Sequence, residues 1–225
     1  MKLKDCENFL VLGLFLGAVG LLSALVLALV SNLTAPEITK AELHAKKEAL
    51  KQLGLGEFDN DPTKKENQFE SKKDGMTFMA LCKDGKLVGI VAEAETDSGY
   101  AGKIRELVGF TPDGTITAVL ITEEHETPGL GKEVCDRKFK KTIFNFTKPE
   151  PKGLPPNKIL DQFSGRKTGD GAKWRLKKDG GDFDGRTGAT VTSRAVVEVT
   201  GRAAEVFRRE NIPAKFAEKA SEVKK

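Results

Sequence analysis

Asp184-Gly185-Arg186-Thr187-Gly188-Ala189-Thr190-Val191-Thr192-Ser193-Arg194-Ala195-Val196-Val197 sets a small-residue run, Thr187 to Ala189, ahead of the hydroxyl side chains of Thr190, Thr192 and Ser193. The pattern predicts a turn that feeds a helix N-terminus, with Thr192 or Ser193 placed to cap it. The first N–H groups of a helix have no internal partner and together carry about half a positive charge, so they draw anions and phosphates. Gly188 and Ala189 let a ligand approach the backbone closely, Arg186 and Arg194 flank the turn with positive charge, and Thr190 places a hydroxyl in that field. From these residues alone two readings stand, a plain capped turn or a seat for a phosphate.

Downstream, Val196, Val199, Ala203, Val206 and Phe207 recur at helical spacing, which predicts a helix with one face on the core. Asn211 and Pro213 are expected to end it, and residues 214–225 read as a charged tail of frayed helix. Upstream, Thr77 to Cys82 and Lys86 to Thr96 are β-rich runs joined by Lys83-Asp84-Gly85, a hairpin signal. Ser98-Gly99-Tyr100-Ala101-Gly102 then reads as a bulge or turn with a packed aromatic, before strand-like runs at Arg105 to Thr111 and Thr115 to Thr122. Lys132 to Phe146 suggests a short helix, Leu160 to Gly165 a helical turn, and Trp174 to Lys178 a late strand.

The chain begins differently. Phe9 to Val30 carries no charged side chain and is long enough, at about 1.5 Å per residue, to cross a hydrocarbon core of about 30 Å. A signal peptide has a shorter apolar region and a small-residue cleavage site, so a retained anchor over 9–30 is the better reading. Thr34-Ala35-Pro36-Glu37 resembles a capping box, and the Ala/Lys/Glu-rich segment behind it predicts a separate stalk helix over 34–54, stopped by Gly54. Gly56 to Gly75 is charged and interrupted by Pro62, which predicts an irregular loop. A folded domain over 76–213 completes an α+β organisation: transmembrane helix, stalk helix, then a mainly antiparallel sheet packed by helices.

Composition excludes several classes. The net charge is only +4 in 225 residues, and the lysine clusters are interspersed with acids and lack interleaved aromatics, so nucleic acid is not an expected partner. His125 has no second histidine near it, which argues against a zinc site. Cys82 and Cys135 read as free thiols rather than a bridge, although an external domain would permit one. No side chains stand in a pattern that marks a general acid, a base or a nucleophile.

Two motifs carry a resemblance that covers most of the chain. Asp184-x-x-Thr187-Gly188-Ala189-Thr190 resembles the flavinylation motif of bacterial FMN-binding domains, and Glu124-His125-Glu126-Thr127-Pro128-Gly129-Leu130-Gly131 resembles the flavin-pocket loop of G subunits of Rnf electron-transport complexes. Gly99-Tyr100-x-Gly102-x-Ile104 is similar to a third segment of that family. Arg186 departs from the aromatic residue found before Thr187 in many relatives. The C subunit of the sodium-translocating NADH:quinone reductase is a related alternative, one that more typically lacks a histidine before Glu-Thr-Pro-Gly-Leu-Gly.

The resemblance implies FMN attached through its phosphate to Thr190, with Gly99, Tyr100, Glu126, Thr127, Pro128, Gly129, Leu130 and Gly131 near the flavin and Asp184, Thr187, Gly188 and Ala189 at its phosphate end. It implies an electron-carrying subunit that is not catalytic alone, in a complex coupling electron transfer between ferredoxin and NAD to sodium or proton movement. The implied partners are the complex's other membrane subunits, membrane lipid, and a flavin transferase for maturation. It also implies a short cytoplasmic N-terminus over 1–8 and a single pass through the cytoplasmic membrane, with the domain on the periplasmic or extracellular side. An anchored binding or scaffold module without redox turnover is the competing class.

Overall fold

The computed structural model describes residues 3–138 and 153–222. It divides into two compact units, Met1–Ala45 and Lys46–Lys225. One helix, α1 (Leu3–Gln52), runs unbroken through the apolar stretch and through the segment expected as a separate stalk. It is long and apolar enough to cross a membrane, and Leu10, Leu14 and Leu21 on it are exposed. The capping box expected at Thr34 does not form. The Thr34 hydroxyl instead donates to the Val30 carbonyl at 2.8 Å, and that of Thr39 donates to Ala35 at 3.0 Å. Hydroxyls bonded to the carbonyl four residues back are satisfied inside a helix, so no new N-terminus is needed and Pro36 is carried within α1.

The second unit is built on a five-stranded sheet of β1 (Gln68–Ser71), β2 (Met76–Lys83), β3 (Lys86–Gly99), β4 (Gly102–Phe110) and β5 (Ile116–Glu123), all antiparallel and in chain order. The segment 56–75, expected as an irregular loop, therefore contributes an edge strand. Asp84 and Gly85, with φ of 51° and 72°, form the β2–β3 turn in the left-handed conformation that matches strand twist. Gly99 pairs with Gly102 across the β3–β4 turn, with a register shift between Thr96 and Gly99. The bulge is as predicted, but Tyr100 at its tip is 72% exposed rather than packed.

Both sheet faces are covered. On one lie Leu50, Leu53 and Leu55 against Met79, Leu81, Val91 and Leu107. On the other lies α3 (Thr190–Arg209), which buries Val196, Val199, Ala203, Val206 and Phe207 as the spacing predicts. Phe207 stacks on Phe110 with ring centroids 4.6 Å apart. At Gly201 a Cβ would stand 2.5 Å from the Trp174 side chain, so the helix and the Trp174 loop meet only because that position is glycine.

Asn211, with φ of 47°, breaks the helix from α4 (Ile212–Glu222). Pro213 lies in the first turn of that new helix, where its missing N–H is harmless. The helix expected over Lys132 to Phe146 is α2 (Lys132–Cys135), and positions 139–146 lie outside the described residues.

The late strand expected at Trp174 to Lys178 is not one. Leu176 bridges Phe183, and Lys177–Asp179 turn as a 3-10 helix. The aromatic residues there are stacked rather than strand-paired: Trp174 lies 4.9 Å and Phe163 5.2 Å from the Phe183 ring centroid, with the Arg166 guanidinium 5.2 Å from it as well. Cys82 and Cys135 are free thiols.

Candidate functional site

The opening motif folds as a turn that leads into α3, with the helix beginning at Thr190 itself, three residues earlier than a cap at Thr192 would place it. Ala189 occupies the cap position and makes no side-chain capping bond. Ser193 works inside the turn: its hydroxyl donates to the Ala189 carbonyl at 2.8 Å and accepts the Arg186 N–H at 3.1 Å. The result is an α3 N-terminus without a side-chain cap, with the half-buried residue Thr190 on its first turn. Gly188 holds φ at 82°, which an L side chain rarely adopts, and a Cβ there would stand 3.2 Å from Leu130.

Three segments distant in sequence meet at Glu126, which is 4% exposed. One oxygen of its carboxylate accepts the Thr192 hydroxyl at 2.9 Å, and the other accepts the Ala101 N–H at 3.3 Å. Glu126 thus ties the Gly99–Gly102 turn and its own loop to the first turn of α3. The junction is tight: a Cβ on Gly131 would lie 2.2 Å from the Glu126 carboxylate, and one on Gly99 would lie 2.3 Å from the Gly102 carbonyl. Arg186 adds a longer link, donating to the Gly129 carbonyl at 3.4 Å. Replacing Thr192 by Val keeps its shape but leaves a buried carboxylate oxygen without its donor, so Thr192→Val is expected to cost about 1–3 kcal/mol. Urea unfolding of the variant checks this as a lower midpoint with unchanged slope.

The exposed residues are arranged around this junction. Outside α1, the exposed large apolar side chains among the described residues are Tyr100 at 72%, Leu130 at 46% and Val191 at 42%, one on each of the three segments. Thr127, Pro128 and Gly129 are exposed on the same loop, and Thr187 and Asp184 on the turn. The Asp184 carboxylate pairs with Lys177 at 2.8 Å, while its backbone is held at both ends by Gln162, whose Oε1 accepts the Asp184 N–H at 2.7 Å and whose Nε2 donates to the Asp184 carbonyl at 3.0 Å.

The charges differ from those the sequence suggests. Arg194 does not stand free beside the turn: it makes two 2.7 Å bonds to Asp179 and holds that carboxyl below its usual range. The cation on the Thr190 hydroxyl is Lys178, which donates to Oγ1. Nothing in the spacing marks Lys178 or Gln162, because both reach the turn from separate loops.

Cys135, behind the Glu126 loop, is not a reactive group. Burial, reinforced by Glu124 and Glu126, pushes its thiol up to about 12, so its nucleophilic thiolate is scarce at neutral pH.

The residues present fit a phosphoester at Thr190. A side-chain hydroxyl, a helix start without a side-chain cap and a lysine ammonium converge there, and exposed apolar side chains stand on the adjoining segments for a planar ring.

Known proteins resemble the chain over these segments. Residues 99–205, which span all three segments, match the model of the FMN-binding domain. The chain is 31% identical over 198 residues to the G subunit of the ion-translocating oxidoreductase complex of Haemophilus influenzae (strain PittEE), covering 87% of this chain and 88% of that one. It is 33% identical over 203 residues to the protein of the same name from Cereibacter sphaeroides (strain ATCC 17029 / ATH 2.4.9), covering 89% and 84%. The crystal structure of NqrC from Shewanella oneidensis aligns with a TM-score of 0.41 at 21% identity, over 69% of this chain and 71% of that one. With near full-length matches to its members, the chain belongs to the G-subunit family of Rnf-type ion-translocating oxidoreductase complexes.

Proposed function

We propose that the chain is a membrane-anchored flavoprotein electron carrier within an ion-translocating oxidoreductase complex, with FMN joined through its phosphate to Thr190. Family membership and the FMN-binding domain support the flavoprotein subunit, and the single apolar helix supports the anchor. The covalent link, the exchange of electrons between ferredoxin and NAD, and the coupling to sodium or proton movement are the finer parts of the reading. So are maturation by a flavin transferase, contact with lipid through 9–30, and a domain on the periplasmic or extracellular side.

One observation carries it: among the described residues, the exposed large apolar side chains outside α1 all lie on the segments that Glu126 gathers around Thr190. Exposed apolar side chains grouped at one place mark a surface suited to binding. FMN, when bound, supplies the redox chemistry through its isoalloxazine ring. The chain's residues hold and orient it. Thr190 provides the attachment oxygen, Gly188 and Ala189 keep the backbone clear for the phosphate, and Asp184 and Thr187 shape the turn. Gly99 and Gly131 permit the close packing at Glu126, while Tyr100, Leu130 and the Thr127-Pro128-Gly129 loop line the face offered to the ring. Among the described residues no side chain is assigned as acid, base or nucleophile toward a substrate, and turnover is assigned to the complex.

The test is flavin fluorescence in a denaturing gel, with the full chain and its Thr190→Ala variant isolated from membranes that contain an active flavin transferase. The expected result is a fluorescent wild-type band and a dark variant band. A dark wild-type band would overturn the covalent reading and return the anchored binding module as the better account.

A further inference from the structure

The 3-10 turn Lys177–Asp179 presents three consecutive side chains to three different partners. Lys177 pairs with Asp184 at 2.8 Å, and Asp179 takes both bonds from Arg194 at 2.7 Å. Lys178, between them, donates to Thr190 Oγ1. The turn is held in place by backbone bonds from Asp179 and Gly181 to the Leu176 carbonyl, at 2.8 and 3.0 Å. Gly181 cannot be replaced without disturbing it, since a Cβ there would stand 2.1 Å from the Arg175 carbonyl oxygen. Lys177 and Arg194 are thus matched with carboxylates, and Lys178 is directed onto the hydroxyl that the proposed function makes the attachment point.

We infer that Lys178 is the positioning residue for phosphoester formation at Thr190, and that its ammonium then neutralises the phosphodiester in the finished protein. The inference rests on the covalent reading above. In the step concerned, Thr190 Oγ forms a bond to the phosphorus of a flavin carried as a phosphoanhydride. The P–O bond to the leaving phosphate breaks, the leaving group keeps the electron pair, and the hydroxyl proton passes to a base of the transferase. No electrons are exchanged.

An ammonium that donates to Oγ leaves the hydroxyl hydrogen free to point away toward that base and favours the negative charge that develops on the oxygen. Once the ester is formed, Oγ has no hydrogen and lies one bond from a phosphate that carries a full negative charge. The same ammonium, already within hydrogen-bond reach of Oγ, can then donate to a non-bridging oxygen. Arginine can make the same donation, whereas an isosteric apolar side chain cannot.

The experiment follows the rate of flavin attachment to the full chain, co-expressed with a flavin transferase, by in-gel fluorescence per unit of protein after induction. Wild type, Lys178→Met, Lys178→Arg and a remote control of equal charge loss, Lys64→Met, are compared, each with its melting temperature. Loss of one charge-assisted donor at an exposed site predicts that Lys178→Met attaches flavin on the order of tenfold more slowly. Lys178→Arg is expected to recover most of the rate, and Lys64→Met to match wild type. All four should melt alike, because Lys178 is exposed.

A Lys178→Met variant labelled at the wild-type rate, or a Lys178→Arg variant slowed as much as Lys178→Met, would overturn the inference while leaving the attachment site standing. A slow Lys178→Met variant with a lowered melting temperature and no recovery by Arg would also overturn it, by making the residue structural. A wild-type chain that stays dark would overturn the covalent reading and the inference together.

Discussion

Phe183→Ala is expected to lower the melting temperature of the folded unit by on the order of 10 °C, from a cost of about 3–5 kcal/mol at roughly 2–4 °C per kcal/mol. Phe183 is fully buried, directly before the motif, and its ring is covered by Trp174 and Phe163. Its backbone bonds two strands of the same loop, donating to the Arg175 carbonyl at 3.1 Å and accepting the Lys177 N–H at 2.7 Å. Loss of the ring opens a cavity beneath the turn that holds Lys178, so destabilisation should be accompanied by slower flavin attachment. Calorimetry on the detergent-solubilised chain checks the first effect, with Phe183→Leu, which keeps most of the volume, as the milder comparison. A melting temperature that does not move would show that the aromatic stack contributes no net packing energy.

The second large effect depends on pH. Glu106 lies on β4 under α3 with no exposed surface, and one of its carboxyl oxygens has no hydrogen-bond partner among the described residues. The other lies 2.9 Å from the Thr200 hydroxyl, which is also 2.8 Å from the Val196 carbonyl. One hydroxyl hydrogen cannot serve both acceptors fully. A protonated Glu106 resolves this by donating to Thr200 Oγ1 while Thr200 donates to Val196. Burial drives the carboxyl in that direction, to about 8 from an ordinary 4.5, against the opposing pull of Thr200 and the Arg202 guanidinium.

The sign follows from which state keeps the proton. Between about pH 4.5 and 8 the folded chain retains it and the unfolded chain has lost it, so this group's stabilisation is complete at low pH. It declines as pH rises through that window, by up to about 1.4 kcal/mol per unit, and levels off above it. Glu106→Gln cannot ionise. Its unfolding free energy should therefore lack this decline, lying below wild type near pH 5, where an extra amide donor is unpaired, and above it near pH 9. Urea titrations at the two pH values measure the difference directly. Parallel pH profiles for the two proteins would mean that Glu106 is already ionised in the fold.

Much of this architecture is legible in the residues, and the exceptions have identifiable causes. Strands β2 to β5 follow from alternating apolar residues and from turn chemistry at Asp84-Gly85 and Asp113-Gly114. Strand β1 is hidden because Gln68-Phe69-Glu70-Ser71 is short, lies at a sheet edge and has a single apolar side chain. Trp174 to Lys178 resembles a strand because Trp174 and Leu176 alternate with charged residues, yet their neighbours are an aromatic stack and a 3-10 turn. Pro36 after Thr34 and Ala35 imitates a helix start, but the hydroxyl is satisfied four residues back and the helix continues.

At the candidate site, the motif residues can be named from the sequence, while their relations cannot. Glu126 joins residues 101 and 192 through hydrogen bonds that no periodicity encodes, and Lys178 reaches Thr190 only after a 3-10 turn has redirected it. Arg194 reads as a free cation in the sequence because its partner, Asp179, is 15 positions away. Tyr100 reads as packed because lone aromatics usually are, and its exposure emerges only from the tight Gly99–Gly102 turn that carries it outward.

Helix α3 buries residues on every turn from Thr192 to Phe207, and this makes the support beneath Thr190 mechanically stiff. A cargo attached there would hang from one short side chain, with rotation about Cα–Cβ and Cβ–Oγ as its nearest freedoms. Its reach would be that of a lever a few bonds long on a rigid mount, quite unlike a group on a swinging loop or linker. The gap between such a cargo and the next electron carrier would therefore be set by how whole subunits seat against one another, and the domain's orientation in the complex would determine whether the two groups come within range.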